Sequence, residues 1–143
     1  MNSKDFLDLA DELVRRKDEA ALRTAVSRAY YGAFNHMAEF YRSKGIIFGK
    51  QDNVHVKLRD CMKYSGCDDV AAVAALLGSV HAERKRADYD MALRTFRQCS
   101  ACEATVLNAR QCLVDFDKHR DKSVDGAKKY FTVVLGYPAP TSR

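Results

Sequence analysis

The sequence predicts an all-α protein, an up-and-down bundle of four to five main helices followed by a short C-terminal segment. Three observations carry this expectation. Both prolines, Pro138 and Pro140, fall near the C-terminus, so nothing before them forbids helix. Apolar residues recur at intervals of three and four along most of the chain, the period of one helical face. The stretches between those runs are short and carry glycine. At 143 residues, with 47% hydrophobic and 30% charged side chains, the chain is about one domain long and apolar enough to build a core. Collagen-like, low-complexity and disordered classes are thereby excluded. A single domain over residues 1–136 with a tail over 137–143 is the expected organisation.

Taken in order, Ser3 is the expected N-cap of a first helix whose stripe is Phe6, Leu9 and Leu13, with Asp5, Asp8, Glu12 and Lys17 facing away. A second helix runs from Asp18 or Glu19 to Lys44, with Leu22, Ala25, Ala29, Ala33, Met37 and Phe40 or Tyr41 along its core face, and Gly45 stops it. Gly45 to Asn53 reads as a loop in which Ile46, Ile47 and Phe48 need cover. Asn53 then caps a short helix holding Val54, Leu58 and Met62, ending at Ser65-Gly66. Asp68 and Asp69 start an alanine-rich helix through Val70, Val73, Ala74 and Leu77, with an interruption expected near Gly78-Ser79. From Arg84 to His119 no breaker occurs, and Leu93, Phe96, Ala104, Leu107 and Val114 share one face, which predicts a long core helix. The last segment, Val124 to Leu135, reads as either a terminal helix or a short packed extension.

The net charge is +5 and the isoelectric point about 9.0. Between Arg23 and Lys63 the chain holds eight basic residues against three acidic ones, which equals the whole excess. No apolar run approaches the roughly 18 residues of a membrane span, and the first residues carry no signal-peptide core, so a cytoplasmic protein without a membrane partner is expected. Five cysteines, an odd number, fit reduced thiols better than a disulfide framework. Cys99 and Cys102 form a lone CxxC that reads as the middle of a helix. With no second CxxC or histidine pair at finger spacing, neither a metal nor any other cofactor is expected.

Two clusters carry candidate chemistry. In the second helix, Ser27-Arg28-Ala29-Tyr30-Tyr31 places adjacent tyrosines about 100° apart, so one hydroxyl needs water, a partner chain or a polar network. Arg28, Tyr31 and Asn35 share one polar-aromatic face there. The second cluster, His81 to Asp90, is read as the N-terminal end of the longest helix. Three successive cations, Arg84, Lys85 and Arg86, oppose the macrodipole at such a position unless an anion or nearby carboxylates compensate.

Together the motifs Arg28-Ala29-Tyr30-Tyr31 to Phe34, Lys44-Gly45, His55 and Arg84-x-x-Ala87-Asp88-Tyr89 resemble the HEPN superfamily, small helical nucleotide-binding domains, over roughly residues 5 to 115. The resemblance implies a bundle of four or five helices that dimerises so that the late motifs of two subunits meet in one cleft. It also implies toxin–antitoxin or phage-defence biology, where many members are metal-independent endoribonucleases. Those enzymes pair an Arg, which steadies the phosphorane, with a His that follows after four to six intervening residues and moves the proton. Here Arg84 is followed after four residues by Tyr89 instead, and an ordinary phenol titrating near 10 is a weak base at neutral pH. His36, His55 or His81 would have to move the proton from elsewhere in the fold.

On this reading Arg84 and Tyr89 are the candidate catalytic residues. Arg28, Tyr31, Arg84, Arg86 and Asp88 would engage RNA or a nucleotide, and the partners are a second copy of the chain and a cognate antitoxin or nucleotidyltransferase. The alternative is a non-catalytic helical interaction protein acting with such a nucleotidyltransferase, with Tyr89 or Tyr31 as a modification target.

Overall fold

The structure, a computed structural model, describes residues 2–48 and 53–137. These form an all-α helical bundle of five main helices: α1 (Ser3–Arg16), α2 (Glu19–Ser43), α3 (Val54–Lys63), α4 (Asp68–Tyr89) and α5 (Cys99–His119). After α5 the chain stays helical as far as Val134: a 3-10 turn (Arg120–Ser123), a short α6 (Val124–Lys129) and one π turn (Tyr130–Val134). The chain groups into two compact units, Met1–His36 with Leu76–Leu113 and Met37–Ala75 with Val114–Arg143.

In the first unit, α1 is capped by Asn2 rather than Ser3. The Asn2 side chain accepts from the Lys4 backbone N–H at 3.0 Å, and the Asp5 carboxylate accepts from the Asn2 N–H at 3.0 Å. That reciprocal pair satisfies two donors at the helix start and leaves Ser3 inside the first turn, buried. The inward stripe is Leu7, Ala10 and Val14, one residue out of phase with the expected Phe6, Leu9 and Leu13. Both stripes have the same spacing, and packing against α2 selects between them. A Cβ on Gly32 of α2 would lie 3.1 Å from Leu7 Cγ and 3.1 Å from the Ser3 carbonyl, so the two helices meet where α2 carries no side chain. On α2 the expected core face holds: Leu22, Ala25, Ala29, Ala33, Met37 and Tyr41 are all fully buried.

The helix pattern after α3 is the main correction. α4 runs unbroken through Gly78-Ser79 and ends at Tyr89, and residues 90–98 form a turn containing a 3-10 segment, Thr95–Arg97. Neither Pro nor Gly marks that break. Arg23 on α2 makes it: its Nη1 donates to the Ala87 carbonyl at 2.8 Å and the Arg86 carbonyl at 3.4 Å, and its Nη2 to the Leu93 carbonyl at 3.0 Å. The Ala87 carbonyl is one that the helix C-terminus leaves open, the Arg86 carbonyl also accepts from the Asp90 N–H at 2.9 Å, and the Leu93 carbonyl belongs to the turn, so a side chain more than sixty residues upstream ties the last turn of α4 to the segment after it. The guanidinium also pairs with Glu19 at 3.1 Å and lies 4.8 Å from the buried Phe96 ring.

Helical phase restarts at Cys99. The inward residues of α5 are therefore Cys102, Thr105, Val106, Ala109, Cys112, Leu113 and Phe116, whereas Ala104, Leu107 and Val114 face solvent. The stripe expected from Leu93 and Phe96 carried its phase across what is a turn.

In the second unit α2 ends as expected. Gly45 has φ 91°, its N–H donates to the Arg42 carbonyl and the Ile46 N–H to the Tyr41 carbonyl, both at 3.0 Å, which is a Schellman end. Ile46 and Phe48 are buried and Ile47 is exposed. Lys50 and the rest of the expected loop, 49–52, lie outside the described residues. Asn53 precedes α3 but makes no side-chain cap; Leu58, Cys61 and Met62 are buried there. α6 passes so close to the turn after α3 that a Cβ on Gly126 would lie 1.6 Å from the Ser65 carbonyl oxygen. The Tyr41 hydroxyl meets Ser123 Oγ at 2.7 Å in the interior, and Tyr137 stacks on Phe131 at 4.5 Å. Pro138 and Pro140 lie outside the described residues.

Candidate functional site

The two motifs singled out in the sequence converge in the first unit, where α2 presents Ser27, Arg28 and Tyr31 to the last turns of α4. Arg84 is the centre of the cluster. Its Nη2 donates to the Tyr31 hydroxyl at 2.6 Å, and its guanidinium lies 4.9 Å from the Tyr31 ring centre and 5.6 Å from that of Tyr89. Nε and Asp88 Oδ2 are 2.9 Å apart, yet this N–H has no correctly directed acceptor, so the contact is Coulombic rather than a directed hydrogen bond. The Ser27 hydroxyl donates to the same Oδ2 at 3.3 Å, and Arg28 Nη2 approaches Ser27 Oγ at 3.5 Å. Arg28 stands over the rings of Phe6 and Tyr31, at 5.5 and 5.4 Å.

Two guanidinium groups therefore share one tyrosine ring, and one carboxylate partly offsets them. Among the described residues Arg28 pairs with no carboxylate. Arg84 Nη1 takes no hydrogen-bond partner there either, while the side chain as a whole is only 14% exposed. A half-buried cationic pair with donors to spare suits an anionic oxygen, since guanidinium binds phosphate and carboxylate oxygens in a planar, two-pronged fashion.

Of the expected site residues, Arg28, Tyr31, Arg84 and Asp88 are brought together, and Tyr89 stands at the edge, 73% exposed. Arg86 is not part of the cluster: it is exposed and pairs with Glu83 at 2.6 Å. Asn35, one turn beyond Tyr31, takes no hydrogen bond from the cluster. Ser27, which is not among the expected site residues, links the two arginines' surroundings from a position four residues before Tyr31 on the same helical face. The histidines do other things. His81 is buried and stacked on Tyr30 with ring centres 4.6 Å apart, His36 meets Ser3 Oγ at 3.3 Å, and His55 lies on α3.

The local field is also the reverse of the expected one. Arg84, Lys85 and Arg86 occupy the C-terminal turns of α4, not the N-terminus of a long helix. Cations are favourable at that end, so the triplet needs no bound anion to explain it, and the argument from a helix N-terminus falls away. The anion-binding case rests on the side-chain cluster alone.

The CxxC pair opens α5 rather than lying in mid-helix. Cys99 Sγ contacts Glu103 Oε1 at 3.2 Å, and that hydrogen bond raises its thiol; burial pushes Cys102 up to about 11. Both shifts oppose thiolate chemistry at neutral pH. No helix among the described residues is long and apolar enough to cross a membrane. Comparison of the chain with family models, with curated proteins and with solved structures gives no match.

Proposed function

We propose that the Arg28–Tyr31–Arg84 face binds a phosphate group of RNA or of a nucleotide, in a cytoplasmic, homodimeric HEPN-like protein of a toxin–antitoxin or phage-defence system. The observation that carries this reading is the pair of guanidinium groups over one tyrosine ring, with Arg84 Nη1 unused and Arg28 without a carboxylate among the described residues. The convergence of both resemblance motifs in that cluster supports it. Where cleavage occurs, Arg84 steadies the charge of the phosphorane and Tyr89, beside it, donates a hydrogen bond to a phosphate oxygen.

Incubation of purified protein with total RNA in EDTA, beside Arg84→Ala, tests cleavage: degradation by the native protein alone supports it, and equal degradation by both refutes it. Binding of a labelled oligonucleotide that weakens steeply between low and moderate salt supports phosphate contacts.

A second reading is favoured by the exposed pair Tyr89 and Met91, 73% and 64% accessible at the end of α4. In it the chain is a non-catalytic interaction protein, whose partner is a nucleotidyltransferase and whose exposed Tyr89 is a modification target. Binding insensitive to salt and unchanged by Arg84→Ala would favour it.

A further inference from the structure

We infer that Asp88 is a built-in competitor of the ligand: it occupies Arg84 in the free protein and must be outbid or displaced when an anion binds. The inference rests on the phosphate-binding reading above and specifies how that site is held in check. Three features of the cluster point to it.

Asp88 is the acidic group against Arg84, and it approaches through Coulomb attraction without a directed hydrogen bond at Nε. Such a contact gives up little angular specificity when it is exchanged for another anionic oxygen. Both contacts of Asp88, from Ser27 and from Arg84, use the one oxygen Oδ2. The carboxylate is thus held from one side, with 29% of its side chain open to solvent, against 14% for Arg84. Finally, the cluster's charges are Arg28, Arg84 and Asp88, a net of one positive charge, and removing the carboxylate doubles it.

The physical consequence is a pair of effects with opposite signs. Asp88 compensates a cation that is mostly shielded from water, so removing its charge lowers stability. The same removal ends like-charge repulsion between Asp88 and an incoming phosphate a few ångströms away, so it raises anion affinity. At a separation of roughly 6 Å and an effective dielectric of about 20 to 40, that repulsion corresponds to a gain of at least about tenfold in affinity. A residue that merely braced the site, or that contacted the ligand favourably, would weaken binding when changed.

The test uses a fluorescein-labelled 20-nucleotide single-stranded RNA, at fixed moderate salt, with native protein, Asp88→Asn, Asp88→Glu, Arg84→Ala and the Arg84→Ala/Asp88→Asn double variant. Asp88→Asn is expected to bind about tenfold more tightly or better and Asp88→Glu, which keeps the charge, to show no gain. The gain should vanish in the double variant, because it acts through Arg84. Inorganic phosphate, read as a rise in thermal midpoint, is the second probe: Asp88→Asn should start lower than the native protein and rise further with phosphate. Asp88→Ala replaces Asp88→Asn should the amide disturb folding.

Weaker or unchanged RNA binding by the charge-removing variant, while Arg84→Ala also weakens it, overturns the role of Asp88 and leaves the binding site standing. Stronger phosphate stabilisation of Asp88→Asn without RNA binding by any variant upholds Asp88 as a competitor and refutes the RNA reading. No response to either probe in any variant overturns both.

Discussion

Two arginines of this protein meet the end of α4, and they are used in opposite ways. Arg23 is 8% exposed, and its guanidinium is spoken for: three backbone carbonyls, the Glu19 carboxylate and the face of Phe96. Arg84 lies a turn away along α4, also largely shielded, but it has one hydroxyl, one off-axis carboxylate and two tyrosine rings. A guanidinium whose donors are directed at backbone carbonyls and one carboxylate of its own helix is a structural part. One that keeps donors back, beside a second cation that pairs with no carboxylate among the described residues, is the part to which the proposed function gives a ligand. The residue type is the same in both places, and the number of satisfied donors separates the roles.

The comparison can be broken most sharply at Arg23. Arg23→Ala strips the side-chain cap from α4, removes the donor to the Ala87 and Leu93 carbonyls while the Arg86 carbonyl keeps the Asp90 N–H, and leaves Glu19 paired with Arg97 among the described residues, so a loss of about 3–5 kcal/mol is expected in urea unfolding. A loss below about 1 kcal/mol would show that the turn at 90–98 holds without the arginine.

A second large effect lies at alkaline pH. Burial holds Cys61 up to about 12 and Cys102 up to about 11, from an ordinary 9.0, and the charge of Arg23 pulls the latter down. Since the folded values are raised, the protonated thiols favour the native state below pH 9. That contribution fades as the pH climbs from 9 through 11 and 12, by a few kcal/mol in all. Urea midpoints at pH 8, 9.5 and 11 should fall in order, and Arg23→Ala should push Cys102 higher still.

Arg84→Ala is expected to do the reverse of Arg23→Ala: a loss of only about 1–2 kcal/mol in stability, from its Tyr31 and Asp88 contacts, but about tenfold or more in RNA affinity. Tyr31→Phe, which removes one hydrogen bond to Arg84 and keeps the ring, should cost only about 0.5–1.5 kcal/mol in binding. The smallest expected effect is a control on the α5 face. Leu107 is 65% exposed, so Leu107→Gln should alter stability by no more than about 0.5 kcal/mol.

What could be read from the sequence was whatever is decided locally. The core face of α2 follows from small and large apolar residues at helical spacing, and its end from Gly45, whose φ of 91° suits glycine. The break between α4 and α5 was not legible, because neither residue 90 nor its neighbours carry a stop signal; a side chain on another helix imposes it. The face of α5 depends on that break, because helical phase restarts at Cys99 and a stripe counted from Leu93 and Phe96 no longer points inward. The site follows the same rule. Arg28, Tyr31, Arg84 and Asp88 announced themselves as motif residues, but whether Arg86 turned inward depended on Glu83 three residues earlier, an equally good partner for it in any helix. Ser27 looked like an ordinary small polar residue until Asp88 was placed opposite it.

The missing side chain at Gly32 has a reach beyond packing. α1 rests on that position, and α1 carries Phe6, whose ring lies beneath Arg28. Position 32 is thus a spacer setting: a methyl there would lift the helix by a few tenths of an ångström and carry the floor of Arg28 with it. The reach of one cation toward a ligand is tunable from a residue that touches neither.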